Sequence, residues 1–478
     1  MIRPFKNAMR FRGIEYILYA LITFLYILLI GRYNAYDTDS RWFPSFSYAF
    51  IVDHIQTDAF VLERFPNGMG GVIAFGKLAA VVQGNILNHV GWSLGAATSI
   101  SIVFILASIF LLAQTSRRLG YSRNFTLCLI ALMGFTEPFV AASQSARYEF
   151  TAVFLLSLAL YFAAYNRIVL AIFVGALATE VEPAGVVIGL SIATFLLVEN
   201  RNSKRLSTPL LLLRILTGAA LAACTYLLLH PGIVSIFRTA HIGKVNAEHT
   251  QIFGGFVTAY YLVYARHLPE LAVILVAIGL AITTKRHHLL FDWPALCAVV
   301  IVLGSAILQW AQIAYFAFIA PFLGFFVLQV FFKESRRHFI LAAILLFTIP
   351  QYIHRYRLWS RQTFGFSQCD ERKVDGGIGR AAAKLNKPAN QLNILGDYAL
   401  WYAHPHLFVS LSKRVINPNV LNHADLLLCL DQPFKPAART TEEVLCRDLN
   451  PAAYKTIDQL VLNHRTIQFL VSRDGEAQ

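Results

Sequence analysis

Long apolar runs recur along residues 14–353, and short basic clusters close every second one of them. No other feature constrains the fold as much, because a run of roughly 20 apolar residues can cross a bilayer of about 30 Å as a helix. Inside hydrocarbon the backbone must satisfy its own hydrogen bonds, so a helix is the form such a run takes. The clusters are Arg3, Lys6, Arg10 and Arg12; Arg117, Arg118 and Arg123; Arg167; Arg201, Lys204 and Arg205; Lys285 and Arg286; and Lys333, Arg336 and Arg337. Basic residues stay on the cytoplasmic side, which predicts about eleven spans, a cytoplasmic N-terminus and an extracytoplasmic C-terminus.

The expected spans are 14–31, 92–114, 125–142, a fourth ending at 166, 168–179, 186–198, 213–229, an eighth ending at 283, 293–308, 315–332 and 339–353. Residues 1–353 then form a transmembrane domain whose first outer loop, 32–91, carries amphipathic pieces at 42–55 and 70–82. Residues 253–265 read as an interfacial or re-entrant helix. The composition agrees: 56% of residues are hydrophobic and 14% charged, against about 25% charged in a soluble domain. With the basic residues partitioned in this way, the net charge of +14 reads as membrane topology and not as a nucleic-acid footprint. The class is mainly α, a polytopic membrane helical bundle.

Residues 354–478 are polar enough for a small external α/β domain, with a helix at 376–386 and strands at 392–396, 425–430 and 466–472. Cys128, Cys224 and Cys297 sit in apolar runs and read as small core residues. Cys369, Cys429 and Cys446 lie in the tail, where an oxidising compartment allows one disulfide, with Cys429 and Cys446 the favoured pair. No cysteine cluster or H-x-x-x-H spacing suggests a bound transition metal.

Charges beside apolar spans are costly and mark candidate sites. Under the derived topology Asp37, Asp39 and Arg41, then Arg147 and Glu149, then Glu180 and Glu182 all fall on the outer side. Asp37-Thr38-Asp39 is either an acidic helix start, with Asp39 as N-cap, or a carboxylate general base for an acceptor hydroxyl. Arg147 and Glu149 are either a helix-start ion pair or contacts to sugar and phosphate. Glu180 and Glu182 stand next to Pro183 at the tip of a short hairpin, either as a simple solvated turn or, between such apolar flanks, as part of a site. Glu137 is either neutral within the third span or lines its cavity. His230, Arg238, His241, Lys244, His249, Arg266 and His267 read singly as a solvated loop, from which one or more, Lys244 and Arg266 among them, can neutralise a lipid phosphate.

Several features together resemble the GT-C superfamily of polyprenyl-phosphate-sugar-dependent glycosyltransferases. They are the acidic motif after the first span, the amphipathic first outer loop, the Arg147-Tyr148-Glu149 turn, the acidic hairpin at 180–182 and the external tail. Aminoarabinose transferases, protein O-mannosyltransferases and lipopolysaccharide-modifying transferases are the members it looks most like. The resemblance implies an essential aspartate at Asp37 or Asp39 and a paired arginine and acid at Arg147 and Glu149. Phe65-Pro66-Asn67-Gly68 with Gly76-Lys77-Leu78 resembles the segment that leads into an amphipathic helix. Where many relatives carry a lysine in the fifth-span hairpin, this chain has Glu180-Val181-Glu182. The Arg-Tyr-x-x-Pro segment of some relatives appears here only as the stretch from Ala314 and Tyr315 to Pro321.

The expected activity is inverting transfer of a sugar from a polyprenyl-phosphate carrier to a glycan, glycolipid or protein acceptor on the outer face of the inner membrane. Cations replace a metal at the leaving phosphate, with a divalent ion on Asp37 and Asp39 as the competing variant, and no cofactor is implied. A lipid-linked-saccharide flippase, or an O-antigen ligase or polymerase, is the alternative. The Asp pair and the large tail disfavour both.

Overall fold

The computed structural model describes residues 13–30, 39–52, 54, 76–182, 185–231, 268–307, 316–333, 368–396, 400–401, 408–411, 424–430, 453–462 and 465–473. Its helices are α1 Gly13–Leu28, α2 Asp39–Ile51, α3 Lys77–Val90, α4 Leu94–Arg118, α5 Arg123–Phe135, α6 Glu137–Gln144, α7 Glu149–Ala164, α8 Ile168–Val181, α9 Val186–Ser203 and α10 Thr208–Leu229. They continue as α11 Leu268–Thr283, α12 Trp293–Ile307, α13 Phe316–Lys333 and α14 Gln368–Lys384.

Helix boundaries follow local chemistry. Ser93 opens α4 by accepting from the Ala96 amide at 3.1 Å, and Arg117 and Arg118 close it where the helix dipole favours cations. Ser122 opens α5 in the same way, through the Phe125 amide. A proline in the first turn starts α10, where its missing N–H costs nothing, and Lys204, in the left-handed region at φ 48°, ends α9. The expected span at 125–142 is not one straight helix. Thr136 ends α5, Glu137 and Pro138 start α6, and the two axes differ by 54°. A proline cannot donate into a continuing helix, which accounts for the break; Glu137 occupies the first turn of α6 and is buried.

α7 is buried on most of its circumference, whereas α10 buries mainly Leu211, Gly218 and Ala222 and exposes Leu213, Leu216 and Leu228. That contrast is a central helix against a lipid-facing one. Small residues set the close contacts: Gly218 meets the Val169 carbonyl and Ile172 of α8, and Gly189 of α9 approaches Ala176 of α8. By length and composition α4 and α10 are long and apolar enough to cross a membrane, and the bent α5–α6 pair makes a third if it is one span. α1, α7 and α8, with stretches of α11, α12 and α13, are shorter apolar helices. Of the remaining expectations, 253–265 and the span at 339–353 lie outside the described residues.

In the tail, strands β1 Ile394–Gly396, β2 Phe408–Leu411, β3 Leu426–Leu430, β4 Tyr454–Leu462 and β5 Arg465–Ser472 form one sheet in the order β2-β1-β3-β5-β4. β1 runs parallel to β2 and β3, and β5 runs antiparallel to β3 and β4. α14 covers it, with Gly377 against the Phe469 ring, a position that leaves no room for a Cβ. The helix begins earlier than the 376 expected, because the charged turn Asp370–Lys373 obscures its period. β2 and β4 were not anticipated; the other strands were. Cys128, Cys224 and Cys297 are free and Cys429 is disulfide-bonded.

The tail is docked on the bundle. Trp401 packs edge-on against Trp92 at 6.1 Å and Tyr48 at 5.9 Å, and Tyr48 meets Trp92 at 4.9 Å. The Leu94 amide, in the first turn of α4, donates to the Glu371 carboxylate of α14 at 3.3 Å.

Candidate active site

Four helix ends meet at one side of the bundle: α4 and α7 begin there, and α8 and α10 finish there. α2 and α3 lie across this end. Tyr148, just before α7, is the point at which they are joined. Its hydroxyl is 2.8 Å from Ser47 Oγ of α2 and donates to the Phe43 carbonyl at 3.2 Å. The Tyr148 ring lies 4.5 Å from that of Phe43, and the residue is 1% exposed. Ser47 donates to Gln83 Oε1 of α3 at 2.8 Å, and Gln83 Nε2 donates to the Ala146 carbonyl at 2.9 Å. Ser101 of α4 ties the same turn from the other side by donating to the Ser145 carbonyl. Buried polar groups with matched partners fix one arrangement, because the unpaired alternative is costly.

Arg147 projects from this turn and pairs with Glu149 at 2.5 Å, the side chains being 13% and 2% exposed. Its guanidinium carbon stands 5.8 Å from the centre of the Phe43 ring. Asp39 is the first residue of α2, four before Phe43 and so on the same helical face. The Arg147 turn and the start of α2 are therefore neighbours.

Glu180 sits near the end of α8 and is fully buried. Its carboxylate accepts from the backbone amides of Lys77 at 2.7 Å and Leu78 at 3.2 Å, and it contacts His230 Nε2 at 3.0 Å. The Gly76 amide donates to the Glu180 carbonyl. A carboxylate from 103 residues away thus occupies the N-terminus of α3, where free amides and the helix dipole favour an anion. Gly76 has φ +84°, and a Cβ there would stand 2.7 Å from the Tyr148 ring. The Lys77 ammonium donates to the Leu229 carbonyl at 2.6 Å. Burial holds its pKa below the ordinary lysine value, and the Glu180 charge opposes that shift.

The acids and arginines expected at the site thus divide into three groups. Arg147 and Glu149 are brought together beside the start of α2. Glu180 is joined to them through α3 and Gln83, while Glu182 follows α8 as a buried residue whose amide bonds the Ala178 carbonyl. Asp39 and Arg41 are placed by their helix backbone, and Asp37, Lys244 and Arg266 lie outside the described residues. His230, expected in a solvated loop, is instead 3% exposed and bonded to Glu180. Ser47 and Gln83 were not anticipated, since small and amide side chains in a helix give no signal until their distant partners are known, and Tyr148 was legible only as part of the Arg147-Tyr148-Glu149 turn. Among the described residues no group of three or more His, Cys, Asp or Glu side chains is placed to hold a metal ion.

No protein-family model matches the chain, and no curated protein does. Among solved structures it is similar to the archaeal oligosaccharyltransferase AglB from Archaeoglobus fulgidus, in complex with an inhibitory peptide and a dolichol-phosphate, with a TM-score of 0.49 and 11% identity over 87% of this chain and 69% of that one. An overlap this loose assigns neither fold nor activity.

Proposed function

We propose that the chain is a membrane glycosyltransferase that moves a sugar from a polyprenyl-phosphate carrier to a hydroxyl acceptor at the outer face of the inner membrane. The observation that carries this reading is Arg147 over Phe43, one helical turn from Asp39. A carboxylate and a fixed guanidinium at the edge of an apolar bundle are what this chemistry needs. The donor's tail stays in lipid while its head meets a polar acceptor.

Asp39 or Asp37 takes the acceptor O–H proton as the oxygen attacks the anomeric carbon. The bond from that carbon to the phosphate oxygen breaks, the phosphate leaves with the electron pair, and configuration inverts. Charge develops on the phosphate. Arg147, paired with Glu149, is the cation proposed to meet it, with Arg41, Lys244 and Arg266 as further sources. Glu182 is a candidate contact to sugar hydroxyls. A divalent ion on the Asp37 and Asp39 pair is the competing way to neutralise the phosphate, and chelation separates the two. The membrane domain is read as multi-pass with a cytoplasmic N-terminus. A disulfide at Cys429 supports an extracytoplasmic tail.

The test is transfer of labelled sugar from undecaprenyl-phosphate donors by the purified protein in nanodiscs, with Asp37→Asn and Asp39→Asn assayed separately. Loss of a general base lowers kcat by about 10²- to 10⁴-fold. Full activity in both variants rejects the catalytic assignment.

A further inference from the structure

We propose that Glu180 is a positioning residue: from the end of α8 it holds α3 in place, and α3 sets the spacing between α2 and the Arg147 turn. The proposal rests on the glycosyl-transfer reading of the same site.

The geometry forms a continuous path. The Glu180 carboxylate takes the first-turn amides of α3, at Lys77 and Leu78, and its backbone carbonyl takes the Gly76 amide. Six residues further along α3, Gln83 bonds in two directions, to Ser47 of α2 and to the Ala146 carbonyl that precedes Arg147. Gln83 is fully buried, as are Ser47 and Glu180. Moving α3 along its axis therefore pulls α2 and the Arg147 turn out of register together. α2 begins at Asp39 and the turn carries Arg147, so the distance between proposed base and proposed cation depends on a residue that touches neither.

His230 and Lys77 complete the anchor. His230 Nε2 reaches Glu180 at 3.0 Å, and its ring packs 4.9 Å from that of Tyr226 in the last turn of α10. The Lys77 ammonium is tied to the Leu229 carbonyl of the same helix. The ends of α8 and α10 thus grip one turn of α3. A sugar contact would need the Glu180 carboxylate to face the donor, yet three groups of the chain already surround it.

A positioning residue makes two predictions that a substrate contact does not. In hydrogen–deuterium exchange, Glu180→Ala should expose the amides of the first turn of α3 and speed their exchange by at least about tenfold, whereas Glu180→Gln keeps an acceptor in place and stays near wild type. In transfer assays with the undecaprenyl-phosphate sugar that wild type uses best, Glu180→Ala should lower kcat on the order of ten- to a hundredfold with KM for the donor nearly unchanged. Glu180→Gln should recover most of that loss. Unchanged exchange in Glu180→Ala, or a raised KM with kcat intact, overturns the proposal.

If Glu180→Ala does not fold, Gln83→Leu leaves the anchor intact and cuts the path one step later. It should lower kcat with KM retained, and wild-type kcat in this variant overturns the proposal. Wild type that transfers no sugar from any donor would end the glycosyl-transfer reading, and the exchange comparison would still decide whether Glu180 holds α3.

Discussion

Substituting Gly76 by alanine attacks the junction between α3 and the Tyr148 turn at a single methyl group. Gly76 has φ +84° and its Cβ would lie 2.7 Å from Tyr148 Cε2 and 2.8 Å from Cδ2. The left-handed backbone costs an L-residue about 1–2 kcal/mol. Tyr148 cannot swing away cheaply, since it is 1% exposed and packed on Phe43. Displacing its ring also weakens the bonds to Ser47 and the Phe43 carbonyl, each worth about 0.5–1.5 kcal/mol. The sum is a loss of roughly 2–5 kcal/mol. Gly279 in α11 is the control: an added Cβ meets nothing within 4 Å, and alanine there should be neutral or stabilising by up to about 1 kcal/mol. Reversible unfolding in mixed micelles, followed by tryptophan fluorescence, gives both numbers. Equal stability of the two variants would refute the described packing of α3 on Tyr148.

Arg147→Ala should cost about 3–5 kcal/mol because it strands a buried carboxylate, and a cycle with Glu149→Ala measured by the same unfolding should show strong coupling. Trp401→Ala removes the tail's wedge between Trp92 and Tyr48 and should cost about 3–5 kcal/mol of docking; limited proteolysis should then release the tail while the bundle survives. Burial lowers the Lys77 pKa in the folded state from its ordinary 10.5, so just below that pH the unfolded chain binds more protons and stability rises with pH. Lys77→Met should flatten that alkaline rise in denaturant titrations run at successive pH values.

Much of the bundle was readable because burial in lipid leaves a long uniform signal. The basic ends of α4 and α9 follow from residues within one turn of the boundary, whereas the caps at Ser93 and Ser122 emerge only with the structure. The bend at Thr136 was missed because the apolar composition continues through it, although Pro138 marked the place. Within the site, Arg147 and Glu149 were legible as charges in an apolar setting. The arrangement around Glu180 was not, because its partners at Lys77, Leu78 and His230 are 50 or more residues distant. A carboxylate's hydrophobic surroundings reveal that it needs a partner but not which one. β4 escaped for a different reason: its edge position leaves several side chains exposed and blunts the alternation that marks a strand.

Transfer and translocation are separated most directly in one experiment, with purified protein in sealed liposomes carrying labelled undecaprenyl-phosphate sugar and a soluble acceptor outside. In glycosyl transfer, label becomes covalently attached to acceptor, free undecaprenyl phosphate appears in equal amount, and Asp39→Asn or Asp37→Asn stops both. Label that crosses the bilayer still joined to its lipid, with no acceptor product, would contradict glycosyl transfer.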